Sequence, residues 1–497
     1  MKTIMVQGTG SDVGKSVVCT ALCRYFYRQG YRVAPFKSQN MALNSYVTKE
    51  GGEIGRAQGV QSEAAGIEAT TDMNPVLLKP KGDMVSEVIV HGRHYADMEA
   101  GSYRAQVLEK ILAPVKESLH RLSQEFEVLV IEGAGSPAEI NLKDRDIANM
   151  RVAHLADAPV ILVADIERGG VFASIIGTLA LLDPDEKKRV KGFIINKFRG
   201  RKDLLDPGID WLEKETGLPV LGVLPYMDMD VDPEDSMALE RLQLKGNDAG
   251  PVEIEIAIIR FPRISNFTDF LPLSHLAGVR VRYVKSKREL GNPDAIILPG
   301  TKNTMEDLSW LKETGLYDEI LHLHQQGSAV VGICGGYQML GEQLIDPEGI
   351  ESHQVTEQKG FGLLAMKTWF VPGKKTVRTS GELLVDWGNV QQVTGYEIHL
   401  GRTERMGQTR PLLRLVDGRL DGVISADGLV WGTYLHGIFD HPGFTIGWIN
   451  QLRRRKGLPD QEAGSSWRQE REKIYDQLAD WIEQHLDMKR LQEIMGL

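Results

Sequence analysis

Short apolar runs alternate with longer amphipathic segments along most of the chain. The runs are rich in Val and Ile and are bounded by Gly, Pro, Asp or Asn, a pattern typical of strands that are buried on both faces of a parallel sheet. Helical periodicity fills the intervals, for example over residues 17–29 and 103–126. This alternation predicts an α/β fold of doubly wound parallel sheets. The predicted strands are residues 3–6, 128–131, 160–164, 192–195, 220–223, 254–259, 295–298 and 329–333.

A break in this pattern divides the chain into domains. Residues 227–251 hold five carboxylates from Asp228 to Asp235 and end in Gly250 and Pro251. They fit either a solvated linker, which we favour, or a metal-binding loop. We expect α/β domains over residues 1–226 and 252–447 and a helical extension over residues 448–497, whose apolar residues recur at helical spacing and pack on a domain.

Composition narrows the classes of function. The 497 residues carry a net charge of −10, which argues against broad electrostatic binding to nucleic acid or to an anionic membrane. The three cysteines form no C-x-x-C pair, and so sparse a set suits a reducing compartment. The N-terminal apolar stretch is too short for a signal peptide, and no run reaches the ~18–20 apolar residues of a membrane span. We therefore expect a cytoplasmic protein with no nucleic-acid or membrane partner, and we leave its oligomeric state open.

Residues 6–16, VQGTGSDVGKS, follow the first predicted strand and open a helix. Their glycines let backbone N–H groups turn inward and the helix N-terminus adds partial positive charge, so the loop is suited to bind phosphate. Lys15 would reach the β- and γ-phosphates of ATP, and Ser16 would bind Mg²⁺. The ordinary spacing is G-x-x-x-x-G-K-[ST], and this chain has one extra residue in that interval. The candidate ATP contacts in the loop are Gly8, Thr9, Gly10, Gly14, Lys15 and Ser16.

A second strand end supports this phosphate site. The apolar run 128–131 leads directly to Glu132, in the position where a Walker-B acid holds or orients Mg²⁺. An acid after a strand is common by itself, but together with the loop it is a specific signal. We therefore take Ser16 and Glu132 as the candidate metal ligands.

Residues 329–340, AVVGICGGYQML, predict a strand, a sharp turn at Cys334 and a helix. Small neighbours make the turn possible, the helix N-terminus favours the thiolate, and nearby backbone N–H groups can hold an oxyanion. A buried structural cysteine is the alternative. The motif G-x-C-x-G-x-Q is specific to the triad-type (class I) glutamine amidotransferases, which this segment resembles. That resemblance implies a glutamine-hydrolysing nucleophile.

Two further segments resemble the same family. Residues 295–304, AIILPGTKNT, resemble its glycine loop, so Gly300 and Gly335 are the candidates for the oxyanion hole. Residues 432–440, GTYLHGIFD, place His436 where the family has its general base.

One feature departs from the family's common pattern. Most relatives carry Glu two residues after the catalytic His, whereas this chain has Ile438, so the third member of the triad is missing or replaced. His399 and Glu397 could orient the site, but we do not take them as triad members.

The phosphate loop resembles the variant GT-x-(S/T)-x-VGK(S/T) of dethiobiotin synthetase. Its fusion to a Cys–His glutaminase resembles the cobyrinic/cobyric acid synthase branch, which lacks the third triad residue, and the match extends to about residue 445. In this superfamily the position of Asn196 contacts adenine, although a simple strand-end turn is equally compatible with the sequence. The segments that resemble the cobyric acid synthase family are residues 37–47, 53–66, 73–80, 141–150, 165–174 and 395–403.

The resemblance implies an ATP-dependent synthetase domain in residues 1–226 and a flavodoxin-like glutamine amidotransferase domain in residues 252–447. It also implies a reaction: ATP- and glutamine-dependent amidation, with Mg²⁺, of the b, d, e and g carboxylates of adenosylcobyrinic acid a,c-diamide. The product would be adenosylcobyric acid, on the route to cobalamin (vitamin B12). The candidate contacts of the corrinoid substrate, taken from the family-like segments, are Lys37, Gln39, Asn40, Lys79 and Arg145.

Other functions remain as alternatives. The sister enzyme, cobyrinic acid a,c-diamide synthase, lacks the Ser-Gln-Asn-Met run that this chain has at residues 38–41. A Min/Par-type ATPase switch would carry a signature lysine early in the loop, where this chain has Thr9 and Gly10, and would lack a glutaminase. Intact Lys15 and Cys334 argue against a regulatory protein with an inactive ATPase.

Overall fold

The structure is a computed structural model that describes residues 1–82, 85–99, 105–227, 251–352, 355–387 and 390–497. The acidic stretch that we interpreted as a linker falls almost entirely on residues 228–250, which lie outside the described residues.

Strands of the described chain fall into two large sheets and several small ones. They are β1 (Lys2–Gly8), β2 (Val33–Phe36), β3 (Gln39–Met41), β4 (Ser45–Val47), β5 (Glu53–Gly55), β6 (Val76–Gly82), β7 (Val85–Val90), β8 (Arg93–Glu99), β9 (Val128–Glu132), β10 (Val160–Asp165), β11 (Val190–Phe198), β12 (Val220–Pro225), β13 (Ile254–Ile259), β14 (Val279–Val284), β15 (Ala295–Leu298), β16 (Ala329–Ile333), β17 (Gln343–Ile345), β18 (Glu357–Lys359), β19 (Met366–Trp369), β20 (Lys375–Leu383), β21 (Gln392–His399), β22 (Arg402–Arg405), β23 (Leu413–Leu415), β24 (Leu420–Asp421), β25 (Val423–Ile424) and β26 (Val430–Thr433).

Helices occupy most of the intervals between the long strands. They are α1 (Lys15–Arg28), α2 (Arg56–Ala64), α3 (Ala105–Glu125), α4 (Met150–Leu155), α5 (Val171–Leu181), α6 (Pro184–Arg189), α7 (Asp206–Thr216), α8 (Leu271–Ser274), α9 (Lys287–Leu290), α10 (Thr304–Glu313), α11 (Leu316–Gln325), α12 (Gly335–Met339), α13 (Pro442–Arg455), α14 (Trp467–His485) and α15 (Met488–Met495), with 3₁₀ turns at Thr71–Met73, Ile140–Arg145, Lys202–Leu204, Phe267–Phe270 and Ile438–Asp440.

The first of two units comprises Met1–Ala42, Gly52–Asp232 and Arg471–Leu497. Its main sheet has six strands in the order β12-β11-β10-β1-β9-β2, all parallel. β9 and β10 lie on opposite sides of β1, so the order of the strands reverses at β1. Open α/β sheets bind ligands at such a reversal. The carboxyl ends of these three strands present Gly8, Glu132 and Asp165 at one edge.

The second unit comprises Leu43–Gly51 and Pro233–Glu470. Its main sheet runs β14-β13-β15-β16-β26-β25, parallel except for β25, which is antiparallel to β26. The carboxyl ends of the adjacent strands β15, β16 and β26 are followed by Gly300, Cys334 and His436 respectively. The sheet topology thus brings together three segments that are distant in sequence.

Every residue of β9, β15 and β16 is buried, which is why these strands are nearly continuous apolar runs rather than alternating ones, with Glu132 at the end of β9 as the exception. All eight predicted strands are present, so the predicted fold class of doubly wound parallel sheets is confirmed. Strands β6–β8 and β17–β24, most of whose pairings are antiparallel, were not predicted.

The C-terminal helices α14 and α15 supply core residues to the first unit. Leu478, Ile482 and Leu491 are fully buried there, in the same apolar cluster as residues of α1. The expected boundaries place residues 448–497 in a separate extension, whereas Arg471–Leu497 belong to the first unit and α13 to the second. The C-terminal helices belong to the first unit because the apolar face of α14 is buried in its core.

Candidate active sites

The phosphate loop joins β1 to α1, as the sequence predicts. Gly14, the N-cap of α1, has φ 101°, in the left-handed region that favours glycine. A Cβ atom on Gly14 would also lie 2.1 Å from Nδ2 of Asn196, so a larger side chain would clash. The loop therefore depends on glycine at this position for both its backbone conformation and its packing.

Lys15 is buried inside the loop. Its ammonium donates hydrogen bonds to the carbonyl oxygens of Gly10, at 2.8 Å, and Gly135, at 3.0 Å. A Cβ atom on Gly8 would lie 2.9 Å from the same nitrogen. Thr9 is fixed through its backbone N–H, which donates to Val163 O at 3.0 Å. These contacts hold the lysine cation beside the loop, where it can neutralise phosphate charge.

Glu132 is the point at which the polar groups of this site meet. Its Oε1 accepts hydrogen bonds from the Ser16 hydroxyl and the Lys37 ammonium, both at 2.8 Å, and its Oε2 accepts one from the Gln61 amide at 2.6 Å. Burial by itself would raise the pKa of Glu132, but the Lys37 charge and the hydrogen bonds outweigh it and hold the pKa below its usual value. The carboxyl is therefore ionised at neutral pH.

Ser16 and Glu132 offer hard oxygen ligands of the kind that Mg²⁺ binds together with phosphate oxygens and water. In the described part of the chain, no group of three or more His, Cys, Asp or Glu side chains could hold a metal ion. The two residues fit a Mg²⁺ ion that takes its remaining ligands from a nucleotide and from water, and not one bound by protein groups alone.

The side chain of Asn196, in β11, is hydrogen-bonded to the phosphate loop. Its Nδ2 donates to the carbonyl oxygen of Val13 at 2.8 Å, which fixes the turn before α1. The next residue, Lys197, is paired with Asp165 at 2.8 Å. Contact of Asn196 with adenine therefore stays a prediction.

The candidate corrinoid contacts lie at different places in the first unit. Lys37 binds Glu132, as described above, and Lys79 forms a buried ion pair with Glu53 at 2.7 Å. Asn40 donates to the Gln58 side chain at 3.1 Å. Gln39 is half-buried at the start of β3, and the side chain of Arg145 lies outside the described part of the structure.

Cys334 occupies the sharp turn between β16 and α12. Its φ is 52° and its ψ is −109°, a conformation that non-glycine residues rarely adopt, and such strain is typical of a nucleophile turn. A Cβ atom on Gly336 would lie 1.9 Å from Leu298 O, so the backbone can turn back on the sheet only with glycine there. The Cys334 thiol is buried and lies 3.6 Å from Ile398 O, to which it donates.

His436 is oriented by an aspartate that the sequence analysis missed. Its Nδ1 lies 2.6 Å from Oδ2 of Asp269, and the other carboxylate oxygen of Asp269 accepts a hydrogen bond from Gly437 N–H at 3.2 Å. Asp269 lies in the 3₁₀ turn Phe267–Phe270, far from His436 in sequence. Thus the geometry supplies an acid in the orienting position that is filled by Glu in most relatives.

Two opposing effects set the protonation of His436. Burial lowers its pKa, but the Asp269 carboxylate and the neighbouring Cys334 outweigh this and raise the pKa of His436 to about 10. Its Nε2 is buried, and Cys334 is its neighbour. The histidine is therefore held as an imidazolium whose second N–H is available to a substrate.

Gly300 and Gly335 flank the nucleophile turn, as predicted. A Cβ atom on Gly335 would lie 2.8 Å from Thr301 Cγ2, and one on Gly300 would lie 3.2 Å from Cε1 of His436. The two glycine backbones therefore come close to the catalytic groups. The role of their N–H groups in an oxyanion hole stays a prediction.

The other residues weighed for orientation have different roles. Ile438 is buried in the apolar core of the second unit. Glu397 is paired with Lys375 at 2.7 Å and Arg419 at 2.8 Å, and His399 stacks on the Tyr434 ring with centroids 3.7 Å apart. Neither Glu397 nor His399 is a hydrogen-bond partner of His436 within the described residues.

Two family models match the chain. One, described as the CobQ/CobB/MinD/ParA nucleotide binding domain, matches residues 4–238. The other, described as the CobB/CobQ-like glutamine amidotransferase domain, matches residues 255–444. The two matches cover the two sites described above.

Curated relatives named cobyric acid synthase match over the whole length. The protein of Desulforamulus reducens is 53% identical over 508 residues, covering 100% of this chain and 98% of the relative. That of Pelotomaculum thermopropionicum is 51% identical over 515 residues, covering 100% and 97%. That of Geobacillus thermodenitrificans is 50% identical over 495 residues, covering 99% and 98%.

Proposed function

Because the chain belongs to the cobyric acid synthase family, we propose that it amidates the b, d, e and g carboxylates of adenosylcobyrinic acid a,c-diamide to give adenosylcobyric acid. It is a glutamine-dependent amidotransferase of cobalamin biosynthesis that uses ATP and acts on a corrinoid. The observation that carries the detailed proposal is the Cys334–His436–Asp269 arrangement in a chain that also holds the Lys15 phosphate loop.

Glutamine hydrolysis begins at Cys334. The thiolate, whose proton has passed to His436, attacks the side-chain amide carbon of glutamine. The negative charge that develops on the amide oxygen is stabilised by the N–H groups of Gly300 and Gly335. His436, held as an imidazolium by Asp269, then gives its Nε2 proton to the departing nitrogen, so ammonia leaves and a thioester remains.

The second half of the hydrolysis regenerates the thiol. His436, now neutral, accepts a proton from water, which attacks the thioester carbon. Glutamate departs and Cys334 is free for another cycle. Asp269 acts in both halves by keeping the ring in one tautomer and orientation.

The other half-reaction makes a carboxylate reactive. A carboxylate is a poor acyl donor because its own negative charge repels nucleophiles, so ATP transfers its γ-phosphoryl group to it and forms an acyl phosphate. Lys15 would neutralise phosphate charge, and Ser16 and Glu132 would hold Mg²⁺, which supplies further charge neutralisation when bound. Neutral ammonia then displaces phosphate and forms the amide.

The substrate contacts and the cellular location are also part of the proposal. Lys37, Gln39, Asn40, Lys79 and Arg145 are the candidates for binding the corrinoid, whose several carboxylates call for basic and amide partners. The buried free thiols of Cys19, Cys23 and Cys334 support a reducing, cytoplasmic compartment. None of the helices in the described ranges is long and apolar enough to cross a bilayer.

Incubation of the protein with ATP, Mg²⁺, glutamine and the a,c-diamide, followed by mass spectrometry of the corrinoid, tests the proposal. We expect four successive products, each of which replaces one carboxyl O–H by NH₂. Reaction of cobyrinic acid itself, with no change in the a,c-diamide, would instead indicate the sister a,c-diamide synthase.

A further inference from the structure

A short N-terminal segment is part of the second unit. Residues Leu43–Gly51 belong to this unit although the chain on either side belongs to the first. Asn44 and Ser45, at the start of the segment, are both buried. Further along, the Arg378 guanidinium donates to Val47 O at 2.7 Å and to the Tyr46 hydroxyl at 2.8 Å. The segment is thus an integral part of the unit that carries Cys334.

Asn44 and Ser45 bond to the start of the turn that carries Asp269. The N–H of Ser45 donates to Oδ1 of Asn266 at 2.9 Å, and the N–H of Phe267 donates to Oδ1 of Asn44 at 3.3 Å. Each asparagine side chain thus accepts one backbone N–H across the contact: Asn266 accepts from the segment, and Asn44 accepts from the turn. Asn266 is buried as well, so water does not compete for these bonds.

The turn needs such support because of its conformation. Asn266 has φ 51° and ψ 37°, in the left-handed region, and its carbonyl oxygen accepts the N–H of Asp269 at 3.1 Å. On another side, the Tyr283 hydroxyl donates to Phe267 O at 3.0 Å. Asp269 then reaches His436, so Asn44 is connected to the catalytic ring through its hydrogen bond to Phe267, the backbone of the turn and the Asp269–His436 contact.

We propose that Asn44 is a positioning residue for glutamine hydrolysis, which fixes the turn of Asp269 and through it the orientation and charge of His436. The inference rests on the proposed glutaminase function. Asn44 has an indirect role in this scheme. It acts by holding the carboxylate within 2.6 Å of the imidazole, and a small displacement of a catalytic group is costly for the rate.

The proposal predicts a change that a purely structural role would not produce. If the turn shifts, the Asp269 carboxylate stabilises the imidazolium less, so the pKa of His436 falls. The other titratable groups around the ring are Cys334 and Tyr396, whose ring stacks on the imidazole with centroids 5.1 Å apart. Neither belongs to the segment that holds Asn44.

The test uses the full-length chain with Asn44→Ala. We expect kcat for glutamate release from glutamine to fall about tenfold, as for a displaced catalytic group, and the alkaline limb of its pH profile to move to lower pH. Asn266→Gly is a second variant, since glycine keeps the left-handed backbone but removes the Oδ1 acceptor. It should move the limb in the same direction.

Asn450→Ala is the matched control. Asn450 is a buried asparagine of the same unit whose side chain exchanges hydrogen bonds with the backbone of Gln461, at 2.9 and 2.8 Å. Like Asn44→Ala, it should lower Tm, but it should leave kcat and the pH profile unchanged. If both asparagine variants at the turn lower Tm while the alkaline limb stays in place, the proposal is overturned.

A measurement without substrate separates this inference from the proposed function. In protein labelled with ¹³C at histidine Cε1, the His436 signal, assigned by its loss in His436→Ala, titrates with the ring. Asn44→Ala should lower the pH of that titration even if the chain hydrolysed no glutamine, and an unchanged titration would refute the positioning role. Absence of glutamate release from the wild type would count against the proposed function alone.

Discussion

His436 shows how one neighbour decides the charge of a buried group. A histidine with 1% of its surface exposed would ordinarily be neutral, because burial disfavours the charged form. Here the Asp269 carboxylate, 2.6 Å from Nδ1, reverses that preference. The ring can therefore protonate the departing ammonia at neutral pH.

Asp269→Asn removes this charge and keeps the size of the side chain. We expect kcat for glutamine hydrolysis to fall about a hundredfold or more, the scale of a lost general acid. The pKa of His436 should drop from about 10, so the alkaline limb of the pH–rate profile should move to lower pH. Steady-state glutamate release across the pH range measures both.

The same substitution predicts how stability depends on pH. The pKa of His436 is raised in the folded state, so the pair stabilises the fold fully below the unfolded value of roughly 6.5 and progressively less as pH rises towards about 10. The loss in free energy of unfolding in Asp269→Asn should therefore be largest near pH 6 and shrink with rising pH. Asp346→Asn is the control: this buried acid accepts hydrogen bonds from the backbone N–H groups of residues 350–352, and its substitution should leave the alkaline limb of the rate profile unmoved.

Sequence alone could predict two members of the proposed catalytic group but not the third. Cys334 and His436 each lie in a local motif after a strand. The residues adjacent to them in sequence determine the turn that they occupy. Asp269 lies 167 residues from His436, and its surroundings, FTDF, carry no catalytic motif. The one local feature that marks Asp269 is an acidic residue between aromatic residues. This feature indicates a catalytic partner only when the order of the strands in the sheet is known.

At the scale of elements, burial on both faces explains which strands were predictable. Parallel strands with an uninterrupted apolar run, such as β16, were recognised from that run, whereas the parallel strand β14, VRVRYV, carries two arginines and was not predicted. Strand β20 is mostly half-buried and reads KTVRTSGEL, so no period separates it from a polar loop. Its pairing with β21 along eight residue pairs could not be deduced from hydropathy.

Helix α14 provides a prediction about stability. Ile482 is fully buried in the core of the first unit, so Ile482→Ala should lower the free energy of unfolding by about 2–5 kcal/mol, for lost burial and the cavity left behind. Denaturant unfolding measures this change. Gln484→Ala, on the exposed face of the same helix, should change it by about 0.5 kcal/mol or less. Equal effects of the two substitutions would contradict the placement of this helix in the core.

At the scale of the molecule, two chemistries share one chain, and they can be separated by substitution. Cys334→Ala should abolish glutamine-dependent amidation but allow amidation from added ammonium at high pH, where more of it is neutral ammonia. The phosphate loop and Glu132 are unchanged in this variant, so carboxylate activation remains. Mass spectrometry of the corrinoid with each nitrogen source reads out the two activities.

Lys15→Ala is the matched variant for the other site. It should lose amidation from both nitrogen sources, because in the proposed function Lys15 neutralises the phosphates and has no part in glutamine hydrolysis. If Cys334→Ala still used glutamine, Cys334 would not be the nucleophile that releases ammonia.

The course of the chain between the units has a consequence for any attempt to divide the protein. The chain enters the second unit at Leu43, leaves it at Gly51, enters it again at Pro233 and leaves it after Glu470. A protease cut near residue 240 would thus produce two fragments, each of which owns a piece of both units. Neither fragment would therefore contain all the residues of even one unit, so the two units cannot be separated by a single cut in the chain.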